Sequence, residues 1–114
     1  MTDDLLTEYR RLASDHGRFT LSGDADRANS AYDRLRTVYR DLESVGSLRA
    51  LIAFRDDADP WVQIWSSAHT LRFDAPGALL VLENLLTADA PLVGLTARSV
   101  IDEWARGTLT FPSN

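Results

Sequence analysis

The sequence predicts an all-α fold, an α–α superhelix of five or six antiparallel helices. Apolar residues recur every three or four positions along most of the chain, which is the period of an amphipathic helix. In the second half, three similar helix starts place an aspartate one or two positions before a proline, and these prolines are 16 and 15 residues apart. That spacing fits helices of about a dozen residues joined by short turns, so neighbouring helices should be antiparallel.

The length fits a single domain. A chain of 114 residues has the size of one domain and buries a sizeable core without a metal or disulfide. We therefore predict one domain over 1–114, with two long helices in 1–46 and repeat-like helices in 47–107.

The first helix is indicated by an apolar stripe that runs up to Gly23. Gly17 either ends this helix early or lies inside it, at a cost of about 1 kcal/mol relative to alanine. The stripe consists of Leu5, Tyr9, Leu12, His16 and Phe19.

The second helix has clear signals at both ends. Asp24 is a good N-cap because its carboxylate can accept hydrogen bonds from free backbone N–H groups. Gly46 supplies the left-handed residue that commonly closes a helix. Its apolar positions are Ala28, Ala31, Tyr32, Leu35, Val38, Tyr39, Leu42 and Val45, and the charged opposite face should meet water.

The helices after Gly46 are shorter. Ser47 is predicted to cap a short helix, and the prolines place further helices at 60–73, 76–88 and 91–106, the last ended by Gly107. Proline is tolerated in the first turn, where its missing N–H has no partner anyway, and an aspartate before it suits the positive end of the helix dipole. The expected caps are Asp59, Asp74 and Asp89.

The helix over 60–73 is apolar around most of its circumference, so it should be packed between other helices. Its remaining stripe is polar, small and uncharged. Such a stripe allows close helix approach or meets water; alternatively, it forms the floor of a shallow groove. Its residues are Gln63, Ser66, Ser67 and Thr70.

From Ser47 onward the chain resembles a HEAT or armadillo-type helical repeat. The residues that carry the resemblance are Asp59-Pro60, Val62, the small residues 66–68, and Leu71. Such repeats usually place an arginine after the valine, where this chain has Gln63. The resemblance implies stacked helix pairs.

The whole chain also resembles a bacterial domain-of-unknown-function family with a short armadillo-like fold. The features that match, in order, are Gly23-Asp24, Asn29, Tyr32-Asp33, Trp65, Glu103-Trp104 and Gly107-Thr108-Leu109. Small acidic helical-repeat proteins include immunity proteins, which neutralise the toxin of a neighbouring gene. For this chain, that role is an association by class of protein.

The charge balance favours a protein partner over nucleic acid. The net charge is −5 and the isoelectric point is near 4.8, whereas nucleic-acid binders cluster basic residues against phosphate. An acidic surface aids solubility and attracts a basic partner by electrostatic steering. The acidic start and the lack of a long apolar segment predict a cytoplasmic protein that does not enter a membrane.

Catalytic and metal-binding signals are missing from the sequence. It contains no cysteine and no lysine, which excludes thiol nucleophiles, thiolate metal sites and Schiff-base chemistry. His16 and His69 are expected to be core or edge residues and lie in no zinc-binding spacing. The acidic turn at 56–59 lacks the glycine and the twelfth-position glutamate of a calcium loop. We predict no catalytic residue, no metal and no cofactor.

These observations favour a non-catalytic protein-binding domain, most specifically an immunity protein that binds a basic toxin. Alternatives are a structural or adaptor helical subunit that forms a homo-oligomer, and a small enzyme that uses His16 or His69 with an aspartate. The sequence leaves the oligomeric state open. The predicted partner-binding residues combine acidic loops with an aromatic anchor, a composition typical of interfaces. They are Asp56, Asp57, Asp59, Trp61 and Asp74.

Overall fold

A computed structural model describes residues 2–110 of the chain, and within that range it is all-α. This confirms the predicted all-α class, while the superhelical arrangement stays a prediction. Six helices are present in the described part, five α-helices and one 3₁₀ helix. They are α1 (Thr2–Leu21), α2 (Ala25–Ser44), the 3₁₀ helix (Leu48–Asp56), α3 (Pro60–Thr70), α4 (Ala75–Leu85) and α5 (Pro91–Arg106).

The ends of α2 follow the sequence signals. The Asp24 side chain accepts a hydrogen bond from the backbone N–H of Arg27 at 3.1 Å. At the other end Gly46 has a φ of 73°, a conformation that costs a glycine little. This geometry lets the N–H of Ser47 reach the carbonyl of Leu42 at 2.9 Å, which satisfies an acceptor at the helix end.

Two of the three predicted aspartate caps are confirmed. Asp59 accepts from the N–H of Trp61, and Asp74 accepts from the N–H of Gly77. The prediction for Asp89 is wrong, because the N-cap of α5 is Ala90, which has no side-chain cap bond. The α5 helix begins at its proline, whereas α4 begins one residue before its proline, so Asp89 stands one position too early to cap.

Three other boundaries differ from the prediction. Ser47 makes no side-chain cap bond, and the helix after it is of the 3₁₀ type; the Ser47 hydroxyl instead lies 3.3 Å from that of Thr2. The α3 helix ends at Thr70 rather than at 73, because the N–H groups of Phe73 and Asp74 both donate to the Thr70 carbonyl in a tight turn. The α4 helix ends at Leu85 rather than at 88.

The central element is α3, which packs against the 3₁₀ helix, α4, α1 and α5. Ser66, Ser67 and Thr70 are completely buried there. The expectation that they form a groove floor is therefore wrong, and the close-approach alternative is correct, because small side chains let neighbouring helices come near. Apolar clusters lie on two sides of α3, one with α1, α2 and the 3₁₀ helix and one with α4 and α5.

Candidate functional site

Two depressions lie along α3. The wider one, about 800 Å³ and called the groove, lies at the start of α3 between α1 and α5. The smaller one, about 170 Å³ and called the cavity, lies farther along the same helix between α2 and α5. Val93 lines the groove and Glu103 lines the cavity, so α3 and α5 run in the same direction.

The groove is mainly apolar and has charged groups at its rim. Leu21, at the end of α1, is 58% exposed there, while Trp61 is only 4% exposed. Leu21 therefore extends the apolar lining to the exposed edge of the groove. The lining residues are Arg10, Ser14, Arg18, Leu21, Ser22, Ala58, Asp59, Pro60, Trp61, Ala90 and Val93.

The base of the groove depends on a close contact between Gly17 and Trp61. Gly17 lies inside α1, buried, which resolves the alternative that the sequence left open. A Cβ atom at Gly17 would lie 2.0 Å from Cγ of Trp61, a distance that no side chain tolerates. The glycine therefore lets α1 approach the indole directly and keeps Trp61 in place beneath the groove.

An ion pair fixes one side of the groove rim. The Nε and Nη2 groups of Arg10 each donate a hydrogen bond to the Asp57 carboxylate, at 2.7 and 3.0 Å. Partial burial opposes ionisation of Asp57, but hydrogen bonds from Arg10 and from the backbone of Asp59 outweigh it and lower the pKa of Asp57. Because Arg10 is about half exposed, we expect this pair to position the loop more than it stabilises the fold.

Three hydrogen bonds hold Asp59 at the same rim. One of its carboxylate oxygens caps α3, and the other accepts a hydrogen bond from the hydroxyl of Ser14 on α1 at 2.5 Å. Its backbone N–H donates to Asp57. The acidic loop is thus tied to both α1 and α3, and its carboxylates keep fixed positions at the edge of the groove.

Three charged side chains line the groove: Arg10, Arg18 and Asp59. Each arginine is paired with a carboxylate, Arg10 with Asp57 at 2.7 Å and Arg18 with Asp15 at 2.9 Å. Asp59 is in no described ion pair, so its negative charge is available to a positively charged partner.

The cavity is lined by aromatic rings and one carboxylate. The ring of Trp65 contacts two other rings of the lining, with centroid distances of 5.4 Å to Tyr32 and 5.5 Å to His69. Such distances are those of interacting aromatic pairs. The lining residues are Tyr32, Trp65, Ala68, His69, Val100, Glu103, Leu109 and Thr110.

His69 is a buried, neutral histidine. It is 5% exposed, and its Nδ1 lies 2.6 Å from the hydroxyl of Tyr9. Burial, together with the positive charge of Arg72, lowers the pKa of His69 to about 3. The same burial raises the pKa of Tyr9, and Tyr39 adds to the effect. Both groups are therefore uncharged at neutral pH, and the structure places His69 in the core as the sequence predicted.

His16 lies between the groove and the cavity. Its ring is 5.2 Å from that of Trp65 and 6.4 Å from that of Trp61, and burial lowers its pKa. Its Nδ1 and the Nε1 of Trp65 are buried polar atoms without a hydrogen-bond partner within residues 2–110. Buried donors and acceptors are normally paired, so these two atoms are exceptions at the contact between α1 and α3.

The structure brings together only part of the predicted partner-binding set. Asp59 and Trp61 line the groove, and Asp57 is tied to its rim through Arg10. Asp56 is exposed at the end of the 3₁₀ helix, and Asp74 lines neither the groove nor the cavity. The role of all five in binding stays a prediction. Trp61 is a packed side chain under the acidic loop rather than an exposed anchor.

Asp74 belongs instead to a polar cluster that the sequence analysis missed. Arg55, which is 6% exposed, donates to the Thr70 hydroxyl at 2.6 and 2.9 Å and to the Asp74 carboxylate at 2.9 Å. The hydrogen bond from Arg55 lowers the pKa of Asp74. The sequence did contain a signal for this cluster, because Thr70 is a polar residue on a mostly apolar helix. A polar side chain that is buried needs a hydrogen-bond partner.

The described residues contain neither a group of metal-binding side chains nor a membrane-spanning helix. Residues 2–110 contain no group of three histidine, aspartate or glutamate side chains placed to hold a metal. None of the described helices combines the length and the apolar character needed to cross a bilayer. No protein-family model, curated protein or solved structure matches the chain.

Proposed function

We propose that this chain is a non-catalytic protein-binding domain, whose groove over Trp61 takes an apolar segment of a basic protein. The observation that carries the proposal is the groove itself: about 800 Å³ of mostly apolar surface, with Leu21 exposed at one wall and fixed charges at the rim. Concave apolar surfaces between helices, with a few placed polar groups, are common binding sites.

The sign of the partner's charge follows from the rim. Its two arginines are already paired, while Asp59, which also lines the groove, is in no described ion pair. The net charge of −5 acts in the same direction at longer range. Carboxylates at a rim raise the rate of encounter with a basic partner, and apolar contacts in the groove then slow its release.

The most specific form of the proposal is an immunity protein that neutralises a bacterial toxin by direct binding. Two points support it: the resemblance to small acidic helical-repeat proteins described above, and the acidic rim, which suits a basic toxin domain. In this form the domain catalyses no reaction and acts only by binding the toxin in the groove.

The test uses the product of the adjacent open reading frame, expressed in bacterial cells with and without this chain. We expect that product to arrest growth and the wild-type chain to restore it. Leu21→Arg, which places a charge in the groove, should abolish protection and binding. Val45→Arg is the matched control, because Val45 is 47% exposed at the end of α2 and does not line the groove.

Three results would contradict the proposal in different ways. Growth that is unaffected by the neighbouring product removes the toxin-specific form. Growth arrest that the wild-type chain does not relieve removes the pairing of the two products. Protection by Leu21→Arg equal to that of the wild type places the binding surface outside the groove. Purified variants should first show the same thermal unfolding, so that a loss of binding is not a loss of folding.

A second candidate function, a structural subunit that forms a homo-oligomer, is favoured by a different surface. Leu80 and Leu95 are 60% and 64% exposed on the last two helices. Burial of these side chains between two copies would contribute about 2 kcal/mol each. Light scattering tests it: a dimer of the wild type that Leu95→Glu dissociates supports this function, and a wild-type monomer excludes it.

A further inference from the structure

We propose that the cavity between α2, α3 and α5 binds a compact organic ammonium cation of the size of a trimethylammonium group. The inference does not rest on the proposed function, because the cavity and the groove have different lining residues. It rests on three features of the cavity: the arrangement of its aromatic rings, its single carboxylate, and its size.

The rings that line the cavity are arranged at an angle to one another. The planes of Tyr32 and Trp65 are tilted by 37°, and those of Trp65 and His69 by 38°. The three rings are in contact and are not coplanar, and each of them lines the cavity. A cation within about 6 Å of a ring centre is attracted by the negative face of the ring, most strongly by tryptophan.

The cavity also has the charge that a cation requires. Glu103 of α5 is the only lining residue that carries a formal charge at neutral pH, because the low pKa of His69 keeps that ring uncharged. Tyr32 already holds one cation, since the guanidinium carbon of Arg36 lies 5.7 Å from its ring centre. Arg36 is thus a competitor for Tyr32, and Arg72 is a second positive group, felt by His69.

The size of the cavity limits the ligand. A volume of about 170 Å³ is well below the roughly 300 Å³ at which pockets for drug-sized ligands begin. A trimethylammonium group is compact and has no N–H to satisfy, which suits a wall made of rings. Choline carries a trimethylammonium group and is small enough to serve as the probe.

The test titrates choline into the full chain and follows the three tryptophan indole N–H signals by NMR. Its neutral isostere, 3,3-dimethylbutan-1-ol, serves as the matched probe. We expect saturable shifts of the Trp65 signal with choline and binding of the isostere that is weaker by about 3- to 30-fold. A capped trimethyllysine amide carries the same head group, and its affinity relative to choline tells whether a free cation or a protein side chain is the better ligand.

Variants of the cavity complete the test. Glu103→Gln should weaken choline binding by a similar factor, and Glu83→Gln, an exposed glutamate on α4, should leave it unchanged. Arg36→Gln should bind more tightly, since it removes the competing cation. If Glu103→Gln does not fold, Val100→Phe, which fills the cavity, replaces it and should abolish binding. Equal binding of choline and its isostere, or no saturable shift of the Trp65 signal, would overturn the proposal.

Discussion

The contact between Gly17 and Trp61 decides how closely α1 approaches α3. Gly17→Ala adds a methyl group where Trp61 Cγ lies 2.0 Å away, so the indole or the helix must move. The gain in helix propensity, about 1 kcal/mol, is smaller than the strain of an overpacked site, about 1–3 kcal/mol. We expect a net loss of up to about 2 kcal/mol in the free energy of unfolding, measured by urea denaturation.

A double-mutant cycle with Trp61→Leu provides the control. If the strain comes from the indole, Gly17→Ala should cost little or become favourable in the Trp61→Leu background. An equal cost in both backgrounds would show that Trp61 is not what excludes a side chain at this position.

His69 makes stability depend on pH. Its pKa is about 3 in the folded chain and near 6.5 when unfolded, so between these values the unfolded chain binds more protons. The free energy of unfolding should therefore fall as the pH is lowered, by about 2 kcal/mol from pH 7 to pH 5 on account of this residue. Urea denaturation at the two pH values measures the effect.

The matched variant is His69→Gln, which does not titrate but keeps a hydrogen-bonding group near Tyr9. Its unfolding free energy should change less between the same pH values than that of the wild type. His16 and the carboxylates remain in both proteins, so the difference isolates His69. Identical pH dependence of the two proteins would mean that His69 is not buried as a neutral group.

At the scale of the helix, the aspartates before the prolines differ in role. Asp59→Ala removes the α3 cap and the bond from Ser14, so we expect a loss of about 1–2 kcal/mol in the free energy of unfolding. Asp89→Ala removes an exposed side chain with no cap bond and should change it by less than about 0.5 kcal/mol. Thermal or urea unfolding distinguishes the two, and equal losses would contradict the assignment of the caps.

The Arg55 cluster joins three consecutive elements: the 3₁₀ helix, the end of α3 and the start of α4. Arg55→Ala leaves the Thr70 hydroxyl and the Asp74 carboxylate without their main donor, and we expect a loss of about 2–3 kcal/mol in the free energy of unfolding. Arg49→Ala, on the same 3₁₀ helix, is the control. Arg49 is exposed over the ring of Phe73, so its removal should cost less than about 1 kcal/mol.

Local signals explain which elements the sequence could predict. The apolar period, the Asp24 cap and the glycines that end helices act within a few residues, so the α-helices of the described chain were anticipated. The Arg55–Thr70–Asp74 cluster and the Gly17–Trp61 contact join residues 15 to 44 positions apart, and no periodicity reports on such pairs. The burial of Ser66 and Ser67 likewise depends on neighbours that only the tertiary structure supplies.

At the scale of the whole molecule, the groove and the cavity result from the way α3 is covered. Both α1 and α5 pack against α3, and each depression lies between α5 and one helix of the α1–α2 hairpin. The sequence predicted the acidic balance and two lining residues of the groove, Asp59 and Trp61. It did not predict the apolar wall that Leu21 forms, because exposure of a leucine at a helix end depends on what packs nearby.

The most direct measurement of the central claim is site-specific photocrosslinking in the cells that make this protein. A photoreactive amino acid replaces Ala58 in the groove or, as the matched control, Ala53, which is also exposed but lies outside it. We predict a discrete adduct at position 58 with one basic protein, identified by mass spectrometry, and none at position 53. The same adducts at both positions, or no adduct at position 58, would contradict the claim that the groove binds a basic partner.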